Sequence, residues 1–488
     1  MNRKLILALG SALALSGCIN MAPKHERPAL STAPAYDPEY RPDGGVIASR
    51  IGWQDYFTDP RLDALIESAL ANNRDLAAAT ARIEQARAQY RIQDSRRLPA
   101  VVADAGGSRT RQPLESGTSV GGTGSSGESA GATTYNRFNV GVGITAFELD
   151  FWGRLANLSE AARAEYLATV AAQRAFYLSL IGDVASTYYQ LIESEQQIAL
   201  AEATAESRRE GLRIAQLRLD AGVTSALPYR QAETLLTQAE QQLAEQRLAA
   251  ARTRNQLAVL VGGQLPQDLP PGRTLADQGP LERIDAGLPS DLLLQRPDII
   301  AAEERLRGAR ANIGAARAAF FPTISLTGSA GFVSSALDSL FDSNSRTWTF
   351  GPAISLPLFD WGAREADLGL AKAREVEAVA NYDSTVQNAF REVSDGLAGR
   401  RWLADQAVAL ARGVAAQEKI AHIARLRYRE GVADYLEVLD AERNLFSAQQ
   451  QLLATHRAQY QNLVTLFIAL GGGQASAGGD PAQAPAAQ

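Results

Sequence analysis

The sequence predicts a mixed α+β membrane protein that is built as an internal two-fold repeat. Three observations support this prediction. The chain opens with an export signal, it matches itself at nearly fixed offsets, and its hydrophobic period changes between that of helices and that of strands within each copy. The length of 488 residues by itself allows several domains.

Residues 1–17 have the layout of a lipoprotein signal peptide, with two basic residues before an apolar stretch. The stretch LSGC, which ends at Cys18, resembles the lipobox of bacterial lipoproteins. This resemblance implies cleavage before Cys18 and a covalent lipid such as palmitate on its thiol, so residues 18–50 are predicted to be a lipidated N-terminal segment. Ile19, rather than Asp, follows the cysteine, which is typical of sorting to the outer membrane.

Composition and charge argue against several other classes of protein. Removal of the signal leaves 46 basic and 54 acidic residues, a net charge of −8, which argues against a nucleic acid partner. A single cysteine gives no disulfide framework, and three scattered histidines give no metal-ligand spacing. We therefore predict no metal site. We also predict no cofactor apart from the lipid on Cys18, and we identify no catalytic residue in the sequence. After the signal no apolar run approaches the roughly 20 residues of a membrane helix, so any crossing must use strands.

The self-match has two offsets. It runs at 209 residues over the downstream part of each copy and at 223 residues over the upstream part, because a Gly/Ser-rich loop before Trp152 lengthens the first copy. The residue pairs that fix the register are Trp152 with Trp361, Gly222 with Gly431, Glu233 with Glu442, and Pro99 with Pro322. The predicted segments are a first repeat at 51–262, an equatorial linker at 263–292, a second repeat at 293–470 and a low-complexity tail at 471–488.

Each copy contains a very long predicted helix. No proline occurs from Gly153 to Leu219 or from Gly362 to Arg429, and apolar residues recur at helical spacing. At about 1.5 Å per residue each helix would reach roughly 100 Å, far more than a globular helix. Such lengths indicate packing of the coiled-coil type, and each long helix is followed by a turn and a further helix.

Between the helices the hydrophobic period becomes two. Alternation predicts strands at 138–146, at 323–327, and at 348–358 with an interruption, while the strand from Val101 to Arg109 has the weakest pattern. Such segments fit a membrane barrel and also a soluble half-buried sheet. Four strands per chain cannot close a barrel, because open edges in lipid leave backbone groups unpaired. If the strands span a membrane, at least two chains must combine them.

Two stretches carry a family resemblance, WQDYFTDPRLDALIESALANNRDL at 53–76 and LPSDLLLQRPDIIAAEERLRGARANIGAARAAFFPTISLTGSAGF at 288–332. With the lipobox and the duplication, the chain resembles the TolC-like outer-membrane efflux proteins, in the lipoprotein branch that serves resistance-nodulation-division pumps. The resemblance implies a homotrimer whose 12-stranded β-barrel, four strands per chain, lies in the bacterial outer membrane. It also implies a long α-helical periplasmic tunnel with an equatorial region.

The same resemblance implies a function and partners. The chain would be the outer-membrane channel of a tripartite efflux system, passively conducting drugs or other small toxic compounds from an inner-membrane resistance-nodulation-division pump through a periplasmic adaptor protein. Two alternatives stay open, an exit duct of a type I secretion exporter and a non-porous lipoprotein rod that spans the periplasm. A match to the G-x-S-x-G esterase motif at 117–121 lies in a Gly/Ser tract without the strand and helix that this motif requires.

By resemblance, the turns after the two long helices are the tips that contact the adaptor. Glycine can supply the positive φ that ends a helix, and each turn has one glycine. The predicted docking residues are Gly222, Val223, Thr224, Gly431, Val432 and Ala433.

By the same resemblance, four residues near the second turn match the periplasmic gate: Tyr428, Leu436, Asp440 and Arg443. The last three are spaced four and three apart, so they share one face of a helix. Rings of leucine could exclude water, and rings of aspartate would repel unless arginine or a cation held them. In the first copy Pro228 stands where the family often has an acidic residue, and it suits the first turn of a helix.

Overall fold

The computed structural model of the protein describes residues 20–29, 36, 45–113, 132–278, 284–286 and 295–473. Cys18 with its signal peptide, the esterase-like motif at 117–121, and parts of the N-terminal segment, linker and tail lie outside these residues. The chain divides into two compact units. The strand unit consists of the described parts of residues 1–27, 85–166 and 304–379, and the helical unit of the described parts of 28–84, 167–303 and 380–488.

Two pairs of helices match in length, since α4 and α7 have 67 residues each and α5 and α8 have 35 each. The ends of the long helices α4 and α7 fall within one residue of the predicted 153–219 and 362–429. None of the described helices is both long and apolar enough to cross a membrane. The α-helices of the described chain are α1 (Trp53–Tyr56), α2 (Pro60–Asn72), α3 (Arg74–Ser95), α4 (Arg154–Asp220), α5 (Ala226–Leu260), α6 (Pro297–Ala318), α7 (Ala363–Arg429) and α8 (Tyr435–Ala469).

The strand unit contains a four-stranded antiparallel sheet in the order β2-β3-β5-β6, so β2 and β6 are its edges. A bulge interrupts the pairing of β3 with β5 at Ala146, whose φ is 48° and whose N–H donates to Thr327 Oγ1. In the helical unit a short parallel pair joins β1 to β4. The strands are β1 (Val46–Ile47), β2 (Val101–Pro113), β3 (Ala132–Leu149), β4 (Ile284–Asp285), β5 (Thr323–Ser334) and β6 (Arg346–Ser355).

All four strands of this sheet differ in length from the sequence prediction, since β3 extends beyond the predicted 138–146 at both ends and β5 extends beyond the predicted 323–327 to Ser334. The weakly patterned β2 is 13 residues long and pairs with β3 along its whole length. By contrast, β6 passes through Pro352 without a break and ends at Ser355, so the prediction that it continues to Leu358 is wrong for the single chain. Pro357 has no N–H to donate, and Leu358 beyond it is exposed.

Both junctions between strand and long helix contain a tryptophan and a glycine of positive φ, with very different surroundings. After β3, Trp152 stacks on Phe321 at 4.8 Å between ring centroids, and its Nε1 donates to the Pro322 carbonyl oxygen at 2.8 Å. After β6, Trp361 is 90% exposed, has a φ of 58°, and contacts the ring of Phe359.

The core of the helical unit joins segments that are distant in sequence. The ring of Tyr56 stacks on Phe467 at 3.9 Å, and its hydroxyl donates to the Leu463 carbonyl oxygen at 3.0 Å. The buried Asp59 caps α2 by accepting from the Arg61 N–H, and it also accepts from the Tyr188 hydroxyl at 2.7 Å. The N-terminal helices are therefore fixed by α4 and α8, which follow much later in the chain.

Candidate functional site at the two helix turns

Turn 1 (residues 221–225) joins α4 to α5 in the helical unit. Gly222 has a φ of 70°, and its N–H donates to the Leu219 carbonyl oxygen at 2.9 Å. The Val223 N–H donates to the carbonyl oxygen of Arg218 at 3.1 Å. These two bonds form a Schellman motif, which satisfies carbonyls at the end of a helix. Ser225 then caps α5 by accepting from the Leu227 N–H. The start of α5 here places Pro228 in its first turn.

Turn 2 (residues 430–434) joins α7 to α8 with the same backbone arrangement. Gly431 has a φ of 76°, and its N–H donates to the Tyr428 carbonyl oxygen at 3.0 Å. The Val432 N–H donates to the carbonyl oxygen of Arg427 at 2.9 Å. Asp434 occupies the N-cap position of α8, but its side chain accepts no capping bond. A Cβ on either Gly222 or Gly431 would meet nothing within 4 Å, so only the left-handed backbone restricts these positions.

The helix that follows turn 2 has a buried and an exposed side. Leu436 is 53% exposed, and Arg443 donates to the Asp440 carboxylate at 3.0 Å with both side chains half-exposed. Tyr435 and Val438 are buried on the other side. The structure thus brings three of the four predicted gate residues to the exposed side of α8, and we name Leu436, Asp440 and Arg443 the exposed row.

Tyr428, the fourth predicted gate residue, lies apart from the exposed row. It belongs to α7, and its half-buried ring packs edge-on against Tyr435 at 5.1 Å. The guanidinium of Arg218 lies 4.9 Å from the centroid of the same ring, and its Nη1 donates to the Tyr428 carbonyl oxygen at 3.4 Å. Tyr428 therefore joins the helices beside turn 1 to those beside turn 2.

A buried polar cluster behind the turns was not found from the sequence. Arg208 on α4 is only 4% exposed, donates to the Leu235 carbonyl oxygen at 2.8 Å, and lies over the ring of Phe446. Burial lowers the pKa of Arg208, while the charge of Glu442 raises it. We name Arg208, Tyr435, Glu442 and Phe446 the buried cluster.

The titration of the buried cluster is governed by its low exposure to water. Burial raises the pKa of Glu442 above its ordinary value, although the charges of Arg425 and Arg208 act in the opposite direction. Burial likewise raises the pKa of Tyr435 to about 12. The sequence carried one signal for this cluster, since Glu442 keeps the repeat register with Glu233, but nothing distinguished Arg208 from the neighbouring charged residues of α4.

A groove of about 830 Å³ lies between the two turns. Its lining mixes charges of both signs with aromatic and apolar surface, a composition that suits contact with a protein surface. Among the lining residues are Glu210, Arg218, Val223, Arg425, Tyr428 and Glu430. One docking residue predicted at each turn, Val223 and Gly431, also borders the groove.

Known proteins of one family match this chain over most of its length. The family described as "Outer membrane efflux protein" matches residues 65–263 and 288–472. The solvent efflux pump outer membrane protein SrpC of Pseudomonas putida is 43% identical over 474 residues, which is 96% of this chain and 98% of SrpC. The cation efflux system protein CusC of Escherichia coli K12 is 40% identical over 469 residues, or 95% of this chain and 98% of CusC.

Solved structures show the same similarity in three dimensions. The open state of the MtrE outer membrane channel of Neisseria gonorrhoeae superposes with a TM-score of 0.82 and 38% identity, covering 93% of this chain and 98% of MtrE. A membrane protein from Pseudomonas aeruginosa gives a TM-score of 0.84 with 37% identity over 93% of this chain and 98% of that chain.

Proposed function

The chain belongs to the outer membrane efflux protein family, and from this we propose that it is the exit channel of a tripartite system that moves small toxic compounds out of the cell. Members of this family are transport channels of the outer membrane that extend into the periplasm. The finer proposal is that the chain receives its cargo from an inner-membrane resistance-nodulation-division pump through a periplasmic adaptor and conducts it passively. The alternative of a non-porous rod does not fit a family of channels.

The proposed assembly is a homotrimer with a 12-stranded barrel. One chain contributes a four-stranded sheet with β2 and β6 as open edges. Unpaired edges are unfavourable in lipid by several kcal/mol per backbone group, so the edges of neighbouring chains must pair. A covalent lipid on Cys18 would add an anchor that does not span the membrane. The intact mass of the purified protein tests this, because an unmodified Cys18 would contradict the anchor.

The exposed row is the observation that best supports a gated channel. Leu436, Asp440 and Arg443 have few contacts with their own chain, apart from the single ion pair. In a trimer with threefold symmetry three copies of each side chain would meet around one axis, where leucines exclude water and aspartates repel unless arginines hold them. We propose that this ring restricts the channel at its periplasmic end.

Conductance in planar bilayers tests the gate. We expect Asp440→Ala with Arg443→Ala to raise the single-channel conductance about twofold or more, because the charged ring no longer narrows the opening. The matched control is Arg230→Ala with Glu233→Ala. That exposed ion pair has the same three-residue spacing and a 2.7 Å contact beside turn 1, so its loss should leave conductance unchanged. Equal conductance of the gate variant and the parent protein would rule out the gate assignment.

The adaptor is proposed to contact the turns and the groove between them. Gly222, Val223 and Thr224 with Gly431, Val432 and Ala433 form two solvent-facing ends of similar backbone. Photo-crosslinking from Val223 and Val432 in cells that express the cognate adaptor tests this contact, and the absence of adducts from both positions would contradict it. The cargo is proposed to belong to the classes named for the relatives, organic solvents or cations.

A further inference from the structure

The two tryptophans at the strand-to-helix junctions occupy equivalent positions of the repeat but have different contacts. Trp152 follows β3, stacks on Phe321, and donates its indole N–H to Pro322. Phe321 and Pro322 lie immediately before β5, the strand that pairs with β3. At the first junction, therefore, the tryptophan after one strand contacts the two residues that precede the neighbouring strand.

At the second junction the equivalent contact cannot form within one chain. Trp361 follows β6, which is an edge of the sheet and has no neighbour on its outer side in the single chain. Its ring is 90% exposed, and its φ of 58° is one that bulky L residues rarely adopt. An indole N–H that is removed from bulk water normally finds an acceptor.

The sequence repeat identifies the missing acceptor. At the offset of 223, Phe321 and Pro322 correspond to Leu98 and Pro99. These residues lie just before β2, the opposite edge of the same sheet, with only Ala100 between Pro99 and the strand, and Leu98 is 70% exposed. Within the strand unit, therefore, one edge carries an exposed tryptophan and the other edge carries an exposed copy of the surface that holds tryptophan at the first junction.

We propose that Trp361 packs on Leu98 of a second copy of this chain and donates its indole N–H to the Pro99 carbonyl oxygen of that copy. This inference rests on the trimer proposed above and specifies how two of its chains are locked together. Three such contacts would close the ring at the junction between strands and helices. The contact is the intermolecular equivalent of the bond from Trp152 to Pro322.

The same repeat predicts the register of the intermolecular strands. In the chain, Leu149 pairs with Ile324 and Phe147 with Leu326. The equivalent pairs between copies are Leu358 with Val101 and Leu356 with Ala103. All three of Leu356, Leu358 and Val101 are exposed in the single chain, which is expected if a second copy covers them. Pairing would also extend β6 beyond Ser355, as the alternation of its sequence predicts.

Lipid is the other possible neighbour of an exposed tryptophan near a membrane. Lipid offers no acceptor at a fixed position and no reason for Leu98 and Pro99 to repeat Phe321 and Pro322. An aromatic side chain at a membrane boundary would also not require the matching exposed surface on the opposite edge. The complementarity of the two edges therefore favours a second copy.

Disulfide trapping in the purified full-length protein tests the contact. Leu98→Cys with Trp361→Cys, oxidised with copper phenanthroline, should give covalent dimers and trimers on a denaturing gel without reductant. Trp152→Cys with Phe321→Cys reproduces the equivalent contact inside one chain, so it should form a disulfide without any increase in mass. Leu98→Cys with Phe341→Cys is a control matched for exposure, since Phe341 is 69% exposed in the loop at the opposite end of the strands, and it should give no covalent trimer.

Light scattering on the same samples distinguishes the absence of the proposed contact from the absence of the trimer. Trimers without the cross-link between positions 98 and 361 would overturn the contact and leave the assembly intact, whereas monomers would overturn the proposed trimer as well. Quenching of Trp361 by brominated lipid, without cross-linking, would assign this surface to lipid. Trp361→Phe and Trp361→Ala in the otherwise unmodified chain give a second measurement. Both should lower the temperature at which trimers dissociate, the alanine more, and an unchanged temperature for both would contradict the contact.

Discussion

Turn 1 and turn 2 have the same backbone and different side-chain chemistry. Both end a 67-residue helix with a Schellman motif around a glycine of positive φ. Arg218 before turn 1 and Arg427 before turn 2 are equivalent in the repeat. Arg218 of the α4–α5 helix pair lies over the ring of Tyr428 in the α7–α8 pair, whereas Arg427 contacts Glu437 within the α7–α8 pair. The backbone motif therefore sets the position at which the chain reverses, and the side chains determine which contacts each turn makes.

Behind turn 2 the difference extends into the interior. Tyr435 packs there among apolar residues, and Glu442 forms an ion pair with Arg425 at 3.6 Å. The equivalent positions beside turn 1 are Ala226, which is exposed, and Glu233, which pairs with Arg230 at the surface. Turn 2 thus combines an exposed row on one side of α8 with a buried cluster on the other. We expect substitutions behind turn 2 to alter stability and those in the exposed row to alter conduction.

The largest expected effect is the loss of Arg208. We expect Arg208→Ala to lower the free energy of local opening by about 3 kcal/mol, because a buried hydrogen bond is lost and the partly buried carboxylate of Glu442 loses a compensating positive charge. Hydrogen exchange of the amides in α5 and α8 measures this opening. The adjacent Arg209 is exposed and pairs with Glu206, so Arg209→Ala should change it by less than about 0.5 kcal/mol. Similar values for the two variants would show that the buried cluster does not stabilise the turns.

A smaller effect separates the two equivalent arginines. Arg218→Ala should cost about 1 kcal/mol of local stability, because it removes a cation–π contact with Tyr428 and a hydrogen bond to its carbonyl oxygen. Arg427→Ala should cost only about 0.3 kcal/mol, since it removes an exposed ion pair. Hydrogen exchange near turn 2 compares them directly. A larger loss of local stability for Arg427→Ala than for Arg218→Ala would contradict the predicted difference between the two arginines.

The smallest effect is a change in pH dependence. A carboxyl whose pKa is raised in the folded protein contributes stability at low pH and loses that contribution as the pH rises from its ordinary value, 4.5, to the raised value. Local stability near turn 2 should therefore fall across that interval, and Glu442→Gln should remove the fall. The equivalent Glu233→Gln should leave it in place. Hydrogen exchange at several pH values measures the slope, and a slope that persists in Glu442→Gln would exclude this residue as its source.

The elements were largely predictable from the sequence because their patterns are local. The long helices begin within a residue of Gly153 and Gly362, where uninterrupted helical spacing starts. The exposed row was predictable because spacings of four and three define a helix face. The end of β6 was not, because the alternation up to Leu358 describes a strand that the single chain leaves without a partner on one side.

The interior of the site was less predictable, because burial depends on neighbours that spacing does not reveal. Arg208 is one of several charged residues on α4, and only the packing of Leu235 and Phe446 around it distinguishes it. The resemblance assigns Tyr428 to the gate, and the sequence did not reveal that its ring contacts Arg218 and Tyr435. In each case one of these contacts, Arg208 with Phe446 or Arg218 with Tyr428, joins helix α4 to the helices beside turn 2.

The stack of Tyr56 on Phe467 has a consequence for the biogenesis of the protein. The hydroxyl of Tyr56 bonds to Leu463, 407 residues later, so this contact has a very high contact order. A chain exported N-terminus first would deliver α1 to the periplasm long before α8. The apolar side chains of α1 would therefore remain exposed to water while the rest of the chain was still crossing the inner membrane. We therefore expect periplasmic chaperones to hold the nascent chain, and products truncated before Leu463 to be degraded.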